Sequence, residues 1–223
     1  MDKSTKQLVA ELVGTLILIF IGGLAVVVTE VPGNNVVVPA LAHGLILVSL
    51  IYTFGHISGG HFNPAVTVGF LVTGKIEAPR AGAYIVAQLI GAVIGAFLIV
   101  LVAPTSVITP YNYGQTTGIL TADHVWAAAL LEGILVFILV SAIFQSAVFG
   151  KAGNFAGLAI GLTLAAAILA GGNLTGASLN PARTLGPALT AGDLSYVIPY
   201  LIGQFAGGAL GGLFHTNILS DNS

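Results

Sequence analysis

Cysteine is absent from these 223 residues, which removes disulfides, thiolate metal sites and cysteine nucleophiles from consideration. Charge is nearly absent as well: Asp, Glu, Lys and Arg make up 6% of the chain, where a soluble domain carries roughly a quarter. No water-facing surface can be covered with so little. The net charge of −2 leaves no basic patch for nucleic acid. No Ser–His pairing, His-Glu-x-x-His run or aspartate pair suggests an intramembrane enzyme, and nothing implies a metal or cofactor.

Apolar residues make up 56% of the sequence, and mean hydropathy is +1.01. These values predict an integral membrane protein embedded in a lipid bilayer. Six runs are long enough to cross the hydrocarbon core: approximately 8–28, 37–57, 81–103, 125–148, 155–172 and 196–216. The first follows Lys3 and Lys6, but it is too long for a signal peptide and lacks a small-x-small cleavage site, so it reads as a retained span. Pro32-Gly-Asn-Asn35 breaks the first pair, and Gly150 to Asn154 reads as a tight turn.

The chain also repeats itself. Ser58-Gly-Gly-His-Phe-Asn-Pro-Ala and Thr175-Gly-Ala-Ser-Leu-Asn-Pro-Ala share a frame, with Asn63 and Asn180 117 positions apart. Glu11 and Glu132 open the two halves, and Gln88-Leu-Ile-Gly answers Gln204-Phe-Ala-Gly at an offset of 116. A single domain over 1–223 is expected, with repeats at approximately 1–103 and 125–216 joined by a polar connection at 104–124.

Each Asn-Pro-Ala box (Asn63, Pro64, Ala65; Asn180, Pro181, Ala182) is followed by only some ten helix-compatible residues, 63–73 and 180–190. Asn is a good N-cap and Pro suits the first helical position, so each box starts a helix. Such a helix reaches ~15 Å, half of a ~30 Å core. The irregular backbone leading into it survives at that depth only where protein buries it or a wet cavity borders it.

Of the six lysines and arginines, Lys3, Lys6, Lys75, Arg80 and Lys151 fall on the side of both termini, which the positive-inside rule makes cytoplasmic. Three spans per half invert the halves, so the half-helices enter from opposite faces and meet near the midplane, as at a permeation or substrate site. The fold class is therefore all-α: six transmembrane helices plus two re-entrant half-helices in an inverted 3+3 repeat.

Two Asn-Pro-Ala boxes, the second continued by Arg183, with Glu11 and Glu132 in the opening helices, resemble the aquaporin (major intrinsic protein) family over nearly the whole chain. The resemblance implies an aquaporin-like right-handed bundle, a homotetramer with one pore per subunit, and passage of water and small neutral solutes. Thr184 follows Arg183 where glycerol facilitators usually carry Asp, which favours the water-channel branch. The stretches Ala167 to Gly172 and Gly192 to Ser195 are similar to tonoplast intrinsic proteins and archaeal aquaporins. Gln204 and Leu201 depart from the family's common Pro and Trp.

By the same resemblance, Asn63 and Asn180 turn amide donors into the lumen and interrupt proton relay. The carbonyls of Gly59, Gly60, His61 and Phe62, and of Gly176, Ala177, Ser178 and Leu179, line the path as acceptors. The selectivity filter falls on His43, Ile168, Ala177 and Arg183. A His–Ile–Ala–Arg set departs from water-strict and glycerol filters alike, and resembles a vacuolar class linked to ammonia as well as water. Arg183 would repel cations; a snorkelling interfacial arginine is the plainer alternative. For His43 the plain alternative is a satisfied core histidine, and the sharper one a pore-lining group that titrates at mild acidity.

Glu11 and Glu132 are either a proton relay, as in a coupled transporter, or acceptors for donors of the adjacent loops; their equivalent places in opposite halves favour the second. His56 and His61 have the wrong spacing for a helical metal pair and are expected to brace the loop. Gly91-x-x-x-Gly95, Gly157-x-x-x-Gly161, Gly207-x-x-x-Gly211 and Gly208-x-x-x-Gly212 permit close helix packing. Asn173-Leu-Thr175 matches a glycosylation sequon but lies too near the second box to be modified.

Overall fold

A computed structural model describes residues 1–29 and 36–220. The break expected at Pro32-Gly-Asn-Asn35 lies outside the described residues. Among the described residues ten α-helices follow in order: α1 (Lys3–Val27), α2 (Val37–Ser58), α3 (Pro64–Val72), α4 (Ala78–Val102), α5 (Thr105–Ile108), α6 (Ile119–Asp123), α7 (Val125–Ile143), α8 (Ala156–Thr175), α9 (Pro181–Ala191) and α10 (Val197–Asn217). Six of them, α1, α2, α4, α7, α8 and α10, are long and apolar enough to span a membrane. The two re-entrant half-helices are α3 and α9, nine and eleven residues long.

The helix ends follow local chemistry more closely than hydropathy does. α1 begins five residues before its apolar run because Asp2 caps it, accepting from the Thr5 N–H at 2.9 Å. α2 and α8 stop at equivalent places, where Gly59 (φ 96°) and Gly176 (φ 81°) take the left-handed conformation that favours glycine. α7 ends in a π-helical turn, Phe144–Val148, before the turn expected near Gly150. The 104–124 connection is more ordered than its polarity suggested. It holds α5, a 3₁₀ segment at Thr109–Gly114 and α6, and it is tied to the bundle by a 2.8 Å bond between Thr121 Oγ1 and Tyr200 OH.

Glycine sets the helix crossings. At Gly95 of α4 an added methyl would lie 2.6 Å from the Leu16 carbonyl of α1, and at Gly44 of α2 it would lie 2.7 Å from the Gly161 carbonyl of α8. Gly203 and Gly207 of α10 press in the same way on the Ala129 and Gly133 carbonyls of α7. Bare backbones thus approach where any side chain would hold them apart.

The half-helices are exchanged between repeats. Gly208 and Gly212 of α10 face the carbonyls of Ala65 and Gly69 on α3, while Gly186 of α9 faces the Ala92 carbonyl of α4, which would lie 2.7 Å from a methyl at that position. Each half-helix therefore leans on the last spanning helix of the other half, more extensively than on its own. Between them lies one apolar core that includes Leu47, Val66, Leu139, Val140 and Leu164.

Candidate functional site

Two buried carboxylates hold the backbone that leads into the half-helices. Glu11 Oε1 accepts from Ser58 Oγ (2.6 Å) and the His61 N–H (3.0 Å), and Oε2 from the Phe62 N–H (2.7 Å) and Gln88 Nε2 (2.8 Å). Glu132 repeats the pattern: Oε1 accepts from Thr175 Oγ1 (2.7 Å) and the Ser178 N–H (3.0 Å), Oε2 from the Leu179 N–H and Gln204 Nε2 (both 2.8 Å). An ionised carboxylate accepts only and offers about four lone-pair directions. All four are filled in each half.

That anchoring decides where the carbonyls point. In a trans peptide the C=O lies opposite the next residue's N–H. Because the N–H groups of His61 and Phe62 turn toward Glu11, the carbonyls of Gly60 and His61 turn away from it. The carbonyls of Ala177 and Ser178 turn away from Glu132 for the same reason. Phe62, Ala177 and Leu179 adopt positive φ (48°, 41° and 52°) to make these bends.

The asparagines then close the two halves on each other. Asn63 Oδ1 caps α3 through the Ala65 N–H and Asn180 Oδ1 caps α9 through the Ala182 N–H, both at 2.9 Å. One amide hydrogen crosses over in each: Asn63 Nδ2 donates to the Leu179 carbonyl (2.8 Å) and Asn180 Nδ2 to the Phe62 carbonyl (2.9 Å). Two carbonyls expected along the path are thus engaged by the opposite asparagine. Each NH2 keeps a second hydrogen, next to two helix N-termini whose dipoles favour an electron-rich atom.

A cavity of about 80 Å³ runs past this point. Its polar lining includes Gly59, Gly60, His61, Asn63, Ser178, Leu179, Asn180, His43 and Arg183; the apolar lining includes Leu47, Ile51, Val66, Phe70, Leu139 and Leu164. The remaining expected carbonyl positions lie off it. Phe62 is fully buried, and Gly176 packs on the Thr116 backbone.

At one end of the cavity Arg183, 3% exposed, donates from Nε to His43 Nε2 (3.1 Å) and from Nη1 to the Gly114 carbonyl (2.7 Å). His43 Nδ1 lies 2.7 Å from the Pro39 carbonyl. A carbonyl can only accept, so the ring proton sits on Nδ1 and the Nε2 lone pair faces the guanidinium. That geometry leaves no free lone pair for the second proton that titration at mild acidity would require. Ile168 and Ala177 are not brought into this contact: both are buried in the apolar core and neither lines the cavity, although Leu164, one turn from Ile168, does.

His61 joins the loop network through Thr67 Oγ1 (3.0 Å) and packs against Phe70 with ring centroids 4.3 Å apart, whereas His56 is exposed and takes no part in it. Several residues of the site escaped the sequence reading. Thr67 and Thr184 bridge to Gln88 and Gln204, at 3.0 and 2.9 Å. The hydroxyls of Tyr84 and Tyr200 fix the carbonyls of Ser58 and Thr175, at 2.8 and 3.0 Å. Every one of these pairs stands at the 116–117 repeat offset, so carrying that offset through the polar residues would have found them. Gln204, an apparent departure, is the repeat partner of Gln88. Gly114 carried no such signal.

Comparison with known proteins agrees with this geometry. The profile of a family described as Major intrinsic protein matches residues 1–215. Nodulin-26 of Glycine max is 41% identical over 217 residues, covering 96% of this chain and 78% of its own. Aquaporin-8 of Mus musculus is 38% identical over 221 residues, covering 99% and 84% respectively. In fold, the X-ray structure of the aquaglyceroporin from Plasmodium falciparum superposes with a TM-score of 0.81 over 97% of both chains, at 23% identity.

Proposed function

Because this chain belongs to the major intrinsic protein family, a family of membrane channels that includes the aquaporins, we propose that it conducts water passively, admits neutral ammonia as a second permeant and excludes protons and ions. The observation that carries the reading is the paired asparagine junction. A water oxygen there receives one N–H from each of Asn63 and Asn180, so its own hydrogens point outward along the file and cannot pass a proton through the midpoint. The carbonyls of Gly60 and His61 on one side and of Ser178 on the other serve as acceptors. Arg183 stands at the mouth as a fixed positive charge that turns cations back. The distribution of lysines and arginines supports cytoplasmic termini, and a homotetramer follows by family analogy.

Proteoliposomes carrying the protein should shrink faster than empty ones under an osmotic step. Equal rates would end the water reading. Ammonia is supported by the apolar part of the cavity lining, where Leu164 and its neighbours offer a permeant no donor. Leu164→His replaces part of that apolar lining with a polar donor. It should lower ammonia and urea flux roughly tenfold, the factor that about 1.4 kcal/mol of barrier produces, while water changes little. If ammonia uptake by the wild type equals that of empty vesicles, or if water and ammonia fall together in the variant, the second permeant is wrongly assigned.

A further inference from the structure

The His43 ring rests on a residue with no side chain. A Cβ built on Gly22 of α1 would overlap the imidazole, with Cε1 2.6 Å away and Nε2 closer still, and the three atoms nearest that Cβ all belong to His43. Contacts under about 3 Å are cheap to relieve only when the neighbour is a free side-chain end. This ring is not free: Nδ1 is tied to the Pro39 carbonyl at 2.7 Å and Nε2 accepts from Arg183 at 3.1 Å. The adjacent glycine underlies the second acceptor of the guanidinium, since a methyl on Gly114 would lie 3.1 Å from the Gly23 carbonyl. Both partners of Arg183 are thus set by how closely this stretch of α1 lets them approach.

We propose that Gly22 is a positioning residue of the filter: the space left by its missing side chain seats the His43 imidazole against α1, and that seat holds Arg183 to one side of the lumen. The inference rests on the channel reading above for its effect on permeation. A methyl at position 22 pushes the imidazole off its seat. The ring then moves toward the cavity, the Arg183 Nε loses its acceptor, and the guanidinium is left with the Gly114 carbonyl alone. The lumen narrows and its fixed charge is no longer held to one wall.

A double-mutant cycle tests this. Gly22→Ala should lower water flux in proteoliposomes roughly tenfold, again the factor for about 1.4 kcal/mol, and lower the ratio of urea to water. In a His43→Ala background the ring is gone, and adding Gly22→Ala should change both readings by less than about twofold, the scatter of non-interacting sites. Gly23→Ala is the control. Its methyl would meet the Ile99 side chain at 2.6 Å rather than the filter, so any cost it carries should not depend on His43. Equal losses from Gly22→Ala in both backgrounds, or none where His43 is present, would overturn the proposal. If Gly22→Ala alone does not fold, rescue by His43→Ala establishes the seat, and failure of the double variant where His43→Ala itself folds refutes it. Should the wild type carry no water, the channel reading fails by itself. The cycle is then read in melting temperatures, where Gly22→Ala must lower the midpoint only when the imidazole is present.

Discussion

Glu132→Leu should yield no folded protein, and the isosteric Glu132→Gln should melt about 5–10 °C below the wild type. The leucine variant strands the N–H groups of Ser178 and Leu179 together with the Thr175 and Gln204 donors. Buried donors left without acceptors cost about 1–3 kcal/mol each, so four of them approach the whole stability of a typical fold, about 5–15 kcal/mol. Glutamine is the finer probe. Whichever way its amide turns, the NH2 group faces one peptide N–H. The Thr175 hydroxyl can rotate and accept from it, but a peptide N–H cannot. One orphaned peptide donor plus the donor–donor clash implies about 2–4 kcal/mol, and a chain of this length loses about 2–4 °C per kcal/mol. Glu11→Gln should fall by a similar amount, because its four partners match one for one. Melting in detergent, followed by size-exclusion chromatography, reads both. A Glu132→Gln midpoint within a degree or two of the wild type would mean that the carboxylate is not what holds the loop, and would reopen a proton-relay role.

Arg183→Ala should leave water flux intact and let cations leak. The guanidinium donates to two neutral acceptors, His43 and the Gly114 carbonyl, so its charge is not cancelled by either. A monovalent cation about 4 Å from such a charge feels about 4 kcal/mol of repulsion at an effective dielectric near 20, roughly three decades in rate. The two half-helix dipoles remain in the variant and also oppose cations, so a rise in proton or potassium leak of about ten- to a hundredfold is expected. A pH-sensitive dye inside vesicles held at a potassium diffusion potential measures it. Wild-type tightness in the variant would assign ion exclusion to the asparagine junction alone.

The features that announced themselves in the sequence are those written in local chemistry and repeated. An asparagine cap followed by proline and too few helical residues marks a half-helix wherever it stands, and its duplication at 117 residues marks the inversion. Glu11 and Glu132 were legible because equivalent places in inverted halves argue for a shared scaffolding task. Residues whose role depends on what lies across the bundle were not. His56 and His61 are five positions apart, yet one is exposed on α2 and the other packs against Phe70 beside the cavity. Gly22 and Gly114 are two of 30 glycines, and only the approach of His43 and Arg183 sets them apart. Ile168 and Ala177 were placed by counting along the chain, which cannot say whether a side chain reaches a lumen or stops in the core beside it.

The exchange of half-helices reaches beyond the pore. Because α3 is cradled by α10 and α9 by α4, a single repeat expressed alone would deprive its short helix of its main support. It would also lack a partner for its asparagine. A primitive chain of one repeat would therefore have had a use only if it inserted both ways up and met an upside-down twin. Fusion of two such copies would make permanent a pairing that had until then been left to chance encounter in the membrane.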